Sequence, residues 1–189
     1  MKIYFLIFWY IFNSSVSLQE NKDVILWDQT KKLTWNDFKG KPERRFAAAS
    51  TSYDILKDIK KTDDLSAAVV VKAVFFCKDS WKNDYWAEET ILNHEQKHFD
   101  VVELFARKLR KSLQDAKFVN YEDLEKRSDE IYKIIDKQMD IYQDKYDDES
   151  DGSMDGSKQK IWNKKILDEI NSLEVYKNIS FTVTFIKAK

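Results

Sequence analysis

The chain has 189 residues, a length that fits one domain. Its 43% hydrophobic and 14% aromatic residues exclude a disordered or low-complexity protein. The 32 basic and 33 acidic residues argue against a broad nucleic-acid-binding surface, and the single Cys excludes an intrachain disulfide framework and a cysteine-based zinc ribbon.

Residues 1–17 have the pattern of a secretory signal peptide. Lys2 supplies a positive charge, residues 3–12 are an unbroken apolar run, and Ser15 and Ser17 suit the −3 and −1 positions of a cleavage site. The apolar run is shorter than the roughly 20 residues that cross a bilayer. We therefore expect a single domain over residues 18–189, exported to a periplasm or to the medium, with no membrane span after cleavage. An uncleaved membrane anchor is the alternative.

The first half of the mature chain predicts a mostly antiparallel sheet. Residues 24–27 and 32–35 flank a polar stretch and predict a hairpin. Residues 46–56 and 67–77 are rich in β-branched, small and aromatic residues and predict strands, which the polar run 57–66 links.

The second half of the chain changes to a helical period. Apolar residues at steps of three, four and seven predict a long helix from about Tyr85 to Leu113. Further along the chain, the pattern predicts a second helix over 121–146, a loop over 147–157, a shorter helix over 158–173 and a strand over 179–186. The order of these elements predicts an α+β fold. The basic side chains of residues 107–111 are expected to solvate the outer face of the first helix.

The motif that carries chemistry is His-Glu-Gln-Lys-His at residues 94–98, an H-E-x-x-H pattern inside the first predicted helix. Side chains four residues apart lie one above the other on a helix, so His94 and His98 can reach one zinc ion at about 2.0–2.1 Å. Zinc lowers the pKa of a water that it holds toward about 7, and Glu95 is placed to take that water's proton. The pattern predicts a zinc site, and the chain's only two His form it.

A catalytic zinc site takes three protein ligands, and no third His remains to supply the last one. One source is a Glu of the second helix, where Glu122, Glu125 and Glu130 are available. The other is the acidic segment over residues 146–149. Tyr146 in that segment is a candidate donor to a developing oxyanion, with packing as the alternative role.

The sequence resembles the bacterial family named domain of unknown function 922, whose members are described as predicted secreted zinc-dependent proteases. The resemblance covers about residues 24–172 and includes the stretches 33–40, 47–49, 80–81, 92–100 and 146–147, together with Gln159, Trp162 and Asn163. In that family the Tyr-Asp pair is often followed by Thr and then His-Gly, and Gly152 stands where this His often lies. The resemblance ranks Asp147 first as third zinc ligand, because it matches the motif position, and Glu149 second.

Together, the motif, the signal peptide and the resemblance predict a secreted zinc-dependent peptidase of zincin-like α+β fold, with peptides or proteins as substrates. Glu95 would be its general base. A catalytically degenerate, exported binding protein of the same fold is the alternative. A structural zinc site is disfavoured, because such sites are closed by four ligands that usually include Cys.

Overall fold

The computed structural model describes residues 23–42 and 47–186, so the predicted signal peptide lies outside the described residues. The strands are β1 (Val24–Leu26), β2 (Ala49–Ser50), β3 (Tyr53–Lys61), β4 (Ser66–Phe76), β5 (Trp81–Lys82) and β6 (Ser180–Thr184), and the helices are α1 (Glu89–Asp115), α2 (Tyr121–Ser150) and α3 (Gly156–Ser172). None of the helices in the described ranges combines the length and the hydrophobicity that a membrane span requires.

The main sheet is built around β4. This strand pairs antiparallel with β3 along one edge, while β1 and β6 share its other edge, β1 toward the carboxyl end of β4 and β6 toward its amino end. Alternate residues of β4, from Ala67 to Ala73, are buried, as expected for a strand with one face on the core. β2 and β5 form a separate two-stranded sheet. The predicted α+β class, the antiparallel pairing and the terminal strand are therefore confirmed.

The helices stack on this sheet, with α1 in the middle. α1 packs against β3 and β4, and α2 and α3 pack against α1. Side-chain caps fix where the two later helices begin: Asn120 accepts a hydrogen bond from the backbone of Asp123, and Asp155 accepts bonds from the backbones of Ser157 and Lys158. α1 thus lies between the sheet and two helices, and among the described residues it carries more than half of the buried polar side chains.

The predicted hairpin over residues 24–27 and 32–35 is wrong. β1 pairs with β4 instead, and Trp35–Asp37 is a short 3-10 helix. Polar side chains take the place of a strand partner: the backbone N–H of Leu33 donates to Gln96 Oε1 at 2.8 Å, and that of Thr34 donates to Asp37 at 2.7 Å. Because these hydrogen bonds satisfy the backbone N–H groups of Leu33 and Thr34, the segment needs no partner strand.

Two predicted connections are also shorter than expected. The run 57–66, predicted as a link, contains the second half of β3, since an edge strand tolerates exposed charged residues. The predicted loop 147–157 begins with the last turn of α2, which continues to Ser150, and only residues 151–155 connect α2 to α3. Asp147 therefore lies on a helix, which fixes its position relative to α1.

The predicted solvated basic face of α1 is wrong for Arg107 and Arg110, which are buried. Both guanidinium groups donate to Glu103 Oε1, at 2.8 Å from Arg107 and 2.6 Å from Arg110. Arg107 also donates to the carbonyl oxygen of Ile170 at 2.9 Å. Burial raises the pKa of Glu103, although the two guanidinium groups oppose the shift. We call these three side chains the arginine cluster.

Candidate metal centre

α1 brings His94 and His98 onto one face, one helical turn apart, and α2 brings Asp147 opposite them. The Nε2 atoms of the two imidazoles lie 3.1 Å apart. Asp147 Oδ1 lies 3.1 Å from His94 Nε2 and 3.0 Å from His98 Nε2. The structure thus brings together three of the side chains that the sequence proposes as metal ligands. We call them the His-His-Asp cluster.

The His-His-Asp cluster has the atoms and the size that a zinc site needs. Ligand atoms about 2.0–2.1 Å from a tetrahedral zinc ion lie about 3.3 Å from one another, so the observed edges of 3.0–3.1 Å require shifts of only a few tenths of an ångström. Two imidazole nitrogens and one carboxylate oxygen are a usual donor set for zinc, with one position left open. Within residues 23–42 and 47–186, His94, His98 and Asp147 form the one group of three or more His, Cys or acidic side chains whose ligand atoms lie close enough together to hold a metal ion.

The electrostatics of the cluster favour a positive charge at its centre. Burial by itself would raise the pKa of Asp147, but hydrogen bonds from His94 and His98 hold it well below the usual 3.8. Burial by itself would lower the pKa of His98, but the hydrogen bond to Asp147 and the charge of Glu95 raise it above 6.5. The two carboxylates therefore stabilise a cation between them, and a divalent metal ion supplies one.

Two buried glutamines hold the far sides of the imidazoles. Gln143 Oε1 lies 2.8 Å from His98 Nδ1, and Gln159 Oε1 lies 3.2 Å from His94 Nδ1. The amide of Gln159 is itself oriented, because its Nε2 donates to Asn163 Oδ1 at 2.8 Å. An imidazole that donates from Nδ1 keeps the lone pair of Nε2 for a metal. Gln143 and Gln159 are thus positioning residues for the two His.

Sequence reasoning did not assign a role to either glutamine. Gln159 enters only as a residue of the family resemblance, and Gln143 does not enter at all. Its spacing could have indicated a role for Gln143, since it precedes Asp147 by four residues and therefore shares a face of α2 with it. For Gln159 no spacing could help, because it lies on another helix, 65 residues from His94.

Tyr146 lies behind the cluster. It is fully buried, its ring stacks on that of His94 with centroids 4.6 Å apart, and its hydroxyl accepts a hydrogen bond from Gln159 Nε2 at 2.8 Å. Burial raises the pKa of this hydroxyl. Tyr146 is not among the described residues that line the cleft. The structure therefore gives it the packing role that was the alternative to an oxyanion donor.

The other proposed carboxylate ligands lie elsewhere. Glu149 is half exposed, accepts a hydrogen bond from Trp162 Nε1 at 3.1 Å and pairs with Lys145 at 3.6 Å. It follows Asp147 by two residues, which turns it by about 200° around the helix axis. Glu122, Glu125 and Glu130 lie on α2 at least 17 residues before Asp147, or about 25 Å at 1.5 Å per residue. Asp147 is therefore the carboxylate that reaches the His pair.

Glu95 faces a cleft of about 890 Å³ beside the His-His-Asp cluster. Its carboxylate accepts a hydrogen bond from Thr51 Oγ1, at 2.6 Å from Oε2. The segment 47–51, which includes β2, forms one wall of the cleft, and α2 forms the opposite wall with Gln143 and Asp147. The predicted general base is thus held in a fixed orientation beside the candidate metal ligands.

The fold and this site define a protein of the α+β class, with a His-His-Asp cluster that two helices bring together at the floor of an open cleft. Residues 26–155 match the family described as "Bacterial protein of unknown function (DUF922)", and the chain belongs to this family. The matched residues include the whole cluster. No curated protein and no solved structure matches the chain. The zincin-like part of the fold prediction therefore stays a prediction.

Proposed function

We propose that this protein is an exported zinc-dependent peptidase that hydrolyses amide bonds in peptides or proteins. The observation that carries the proposal is the convergence of His94 Nε2, His98 Nε2 and Asp147 Oδ1 within 3.1 Å, with Glu95 on the same cleft. The pattern of residues 1–17 supports export.

The cluster residues divide the work of hydrolysis. His94, His98 and Asp147 would hold zinc, which when bound supplies a Lewis acid and makes water a stronger nucleophile at neutral pH. Glu95 takes a proton from the attacking water and passes it to the leaving amine, so that one water and one amide give one acid and one amine. Thr51 holds one oxygen of Glu95, which leaves the other carboxylate oxygen for the water.

The first test is the zinc content of the purified protein. We expect about one zinc ion per chain, lost in His94→Ala/His98→Ala and weakened in Asp147→Ala. Asp148→Ala is the matched control, because Asp148 is an exposed neighbour on α2 outside the cluster. A folded wild-type protein that stays free of zinc in the presence of excess zinc would contradict the proposal.

The second test is turnover of a diverse peptide mixture, followed by mass spectrometry. Glu95→Gln should keep its zinc and lose turnover by at least about a thousandfold, because the general base is gone. Glu89→Gln, an exposed neighbour at the start of α1, should cleave like wild type. A zinc-loaded wild type that cleaves nothing would favour the degenerate binding protein, whereas a Glu95→Gln variant of full activity would contradict the role of Glu95 as general base.

A further inference from the structure

The described lining of the cleft beside the His-His-Asp cluster is acidic, whereas the chain as a whole is nearly neutral. Acidic side chains are the only charged lining of the cleft among the described residues: Glu88, Glu95, Asp144 and Asp147. The chain as a whole balances 32 basic against 33 acidic residues. Elsewhere many carboxylates are matched by Lys or Arg, as Asp129 is by Lys57. The acidic character of the cleft is therefore local.

Two of these carboxylates have no task in the proposed chemistry. Asp147 belongs to the cluster and Glu95 is bonded to Thr51, whereas Glu88 and Asp144 are exposed. No side chain in the described ranges forms a hydrogen bond or ion pair with the carboxylate of Glu88 or Asp144. Even with a divalent cation balancing Asp147 and Glu95, these two side chains leave the described lining of the cleft negative. Such a cleft attracts cations and repels anions.

The apolar lining of the cleft suits a cation on a long aliphatic stem. Trp86 lines the cleft two residues before Glu88, and Ile91 and Met154 add apolar surface. The segment 47–49 consists of alanines, which leave room along the wall. Lys and Arg combine an aliphatic stem with a charged head, and an indole ring beside a carboxylate binds such a head well.

We propose that the cleft selects peptides that carry a Lys or Arg side chain beside the bond to be cleaved, bound through Glu88, Asp144 and Trp86. This inference rests on the proposed peptidase function and adds its substrate class. Peptides with Glu or Asp at the same position are disfavoured, because no Lys or Arg is among the described residues that line the cleft.

The first experiment compares kcat/KM for peptides identical except for Lys, Arg, Gln or Glu at each position around a cleaved bond. We expect wild type to prefer Lys or Arg over Gln by about tenfold at one position. In Glu88→Gln/Asp144→Asn this preference should fall below about threefold while the zinc content is unchanged. Glu89→Gln/Asp148→Asn removes two nearby charges outside the cleft lining and should keep the preference. Efficient cleavage without preference for a basic residue would overturn the inference and leave the peptidase standing.

A binding experiment tests the inference independently of turnover. Fluorescent peptide mixtures that differ only in having Lys, Gln or Glu at fixed positions are titrated onto zinc-loaded Glu95→Gln. Tighter binding of the Lys mixture, lost in the added Glu88→Gln/Asp144→Asn background, supports the inference even if wild type cleaves nothing. Equal binding of all three mixtures, or no binding, overturns it.

A last variant examines the basic residues that precede the alanine segment in the chain. Arg44→Gln/Arg45→Gln should retain the preference of wild type for the Lys mixture. A preference for Lys that exists only in this variant would overturn the inference, since the native charge of the cleft would then not be negative.

Discussion

α1 contributes to two polar clusters, one buried and one at the cleft, and their chemistry differs. In the arginine cluster opposite charges meet: Glu103 accepts from both guanidinium groups, and further N–H groups donate to the main-chain carbonyl oxygens of Ile170 and Lys177, while Arg110 Nε has no acceptor among the described residues. In the His-His-Asp cluster, two imidazole nitrogens and one carboxylate oxygen, all of which can ligate a metal, converge at 3.0–3.1 Å. The same helix thus contributes to one cluster whose charges are matched within the protein and to one whose ligand atoms could hold a cation.

The two clusters also differ in their exposure to solvent. Arg110 is fully buried, and its cluster ties α1 to the segment after α3. The side chain of Asp147 is 50% exposed, and its cluster opens to the cleft. A closed set of matched charges positions elements of the fold, whereas convergent ligand atoms at an opening can bind something from solution. We therefore expect mutations in the arginine cluster to lower stability and mutations in the His-His-Asp cluster to weaken zinc binding.

The largest effect is expected for Glu103→Ala. This change removes the carboxylate that two buried guanidinium groups share and should lower the free energy of unfolding by about 3–5 kcal/mol. Urea unfolding measures the loss, and the zinc content of the chains that stay folded should not change. Glu174→Ala is the control, since Glu174 also pairs with Arg107 but is half exposed and should cost much less. Equal losses in the two variants would contradict the distinction between closed and open clusters.

The next effect is stabilisation by zinc. At a free zinc concentration 100 times Kd, the free energy of unfolding should rise by about 2.7 kcal/mol, because zinc binds the folded state. His94→Ala/His98→Ala should lose this gain entirely, while Glu103→Ala should keep it. Thermal unfolding with and without added zinc measures both, and a gain that survives in the double His variant would place the zinc elsewhere.

A smaller effect is expected for the glutamines behind the imidazoles. Gln143→Ala should weaken zinc binding by about 10- to 100-fold, because His98 loses the acceptor that orients its ring. Competition with a chelator measures the affinity. Gln143→Glu, which keeps a carboxyl acceptor, should restore most of it, and Gln138→Ala, an exposed glutamine of α2, should have no effect. An unchanged affinity in Gln143→Ala would reduce Gln143 to a packing role.

The smallest effect concerns Asp54, a partly buried carboxylate with neutral donors. Burial raises its pKa above 3.8, although the hydroxyl of Tyr132 and the backbone N–H of Ile55 donate to it. A raised pKa in the folded state means that the stability present below pH 3.8 is lost as pH rises through the folded value. Asp54→Asn should therefore stabilise the protein at pH 7 by less than about 1 kcal/mol, and the gain should vanish in acid. Denaturant unfolding at both pH values checks this; destabilisation at pH 7 would show that the charged form is favoured.

The boundaries of the helices show how far local patterns reach. The period of the apolar residues located α1 and α2, because each helix buries one apolar stripe. The spacing of four residues placed His94 and His98 on one face of α1, because this relation depends only on helix geometry. The end of α2 was missed, because an acidic segment with Gly and Ser is typical of a loop. In the structure Tyr146, the residue just before that segment, packs on His94, and α2 continues to Ser150 and presents Asp147 to the His pair.

The sequence by itself determined the α+β class, the helix that bears the His pair and the identity of the general base candidate, because these depend on residues within a few turns of one another. It offered the acidic segment 146–149 as one source of the third ligand, ranked Asp147 above Glu149 only through a family resemblance, and treated Arg107 and Arg110 as solvated. Only the tertiary structure decided between these carboxylates, added Gln143 and Gln159, and buried the two Arg. The reason is physical: a spacing fixes which side chains share a face of one helix, whereas the packing of α2 and α3 on α1 fixes which faces meet.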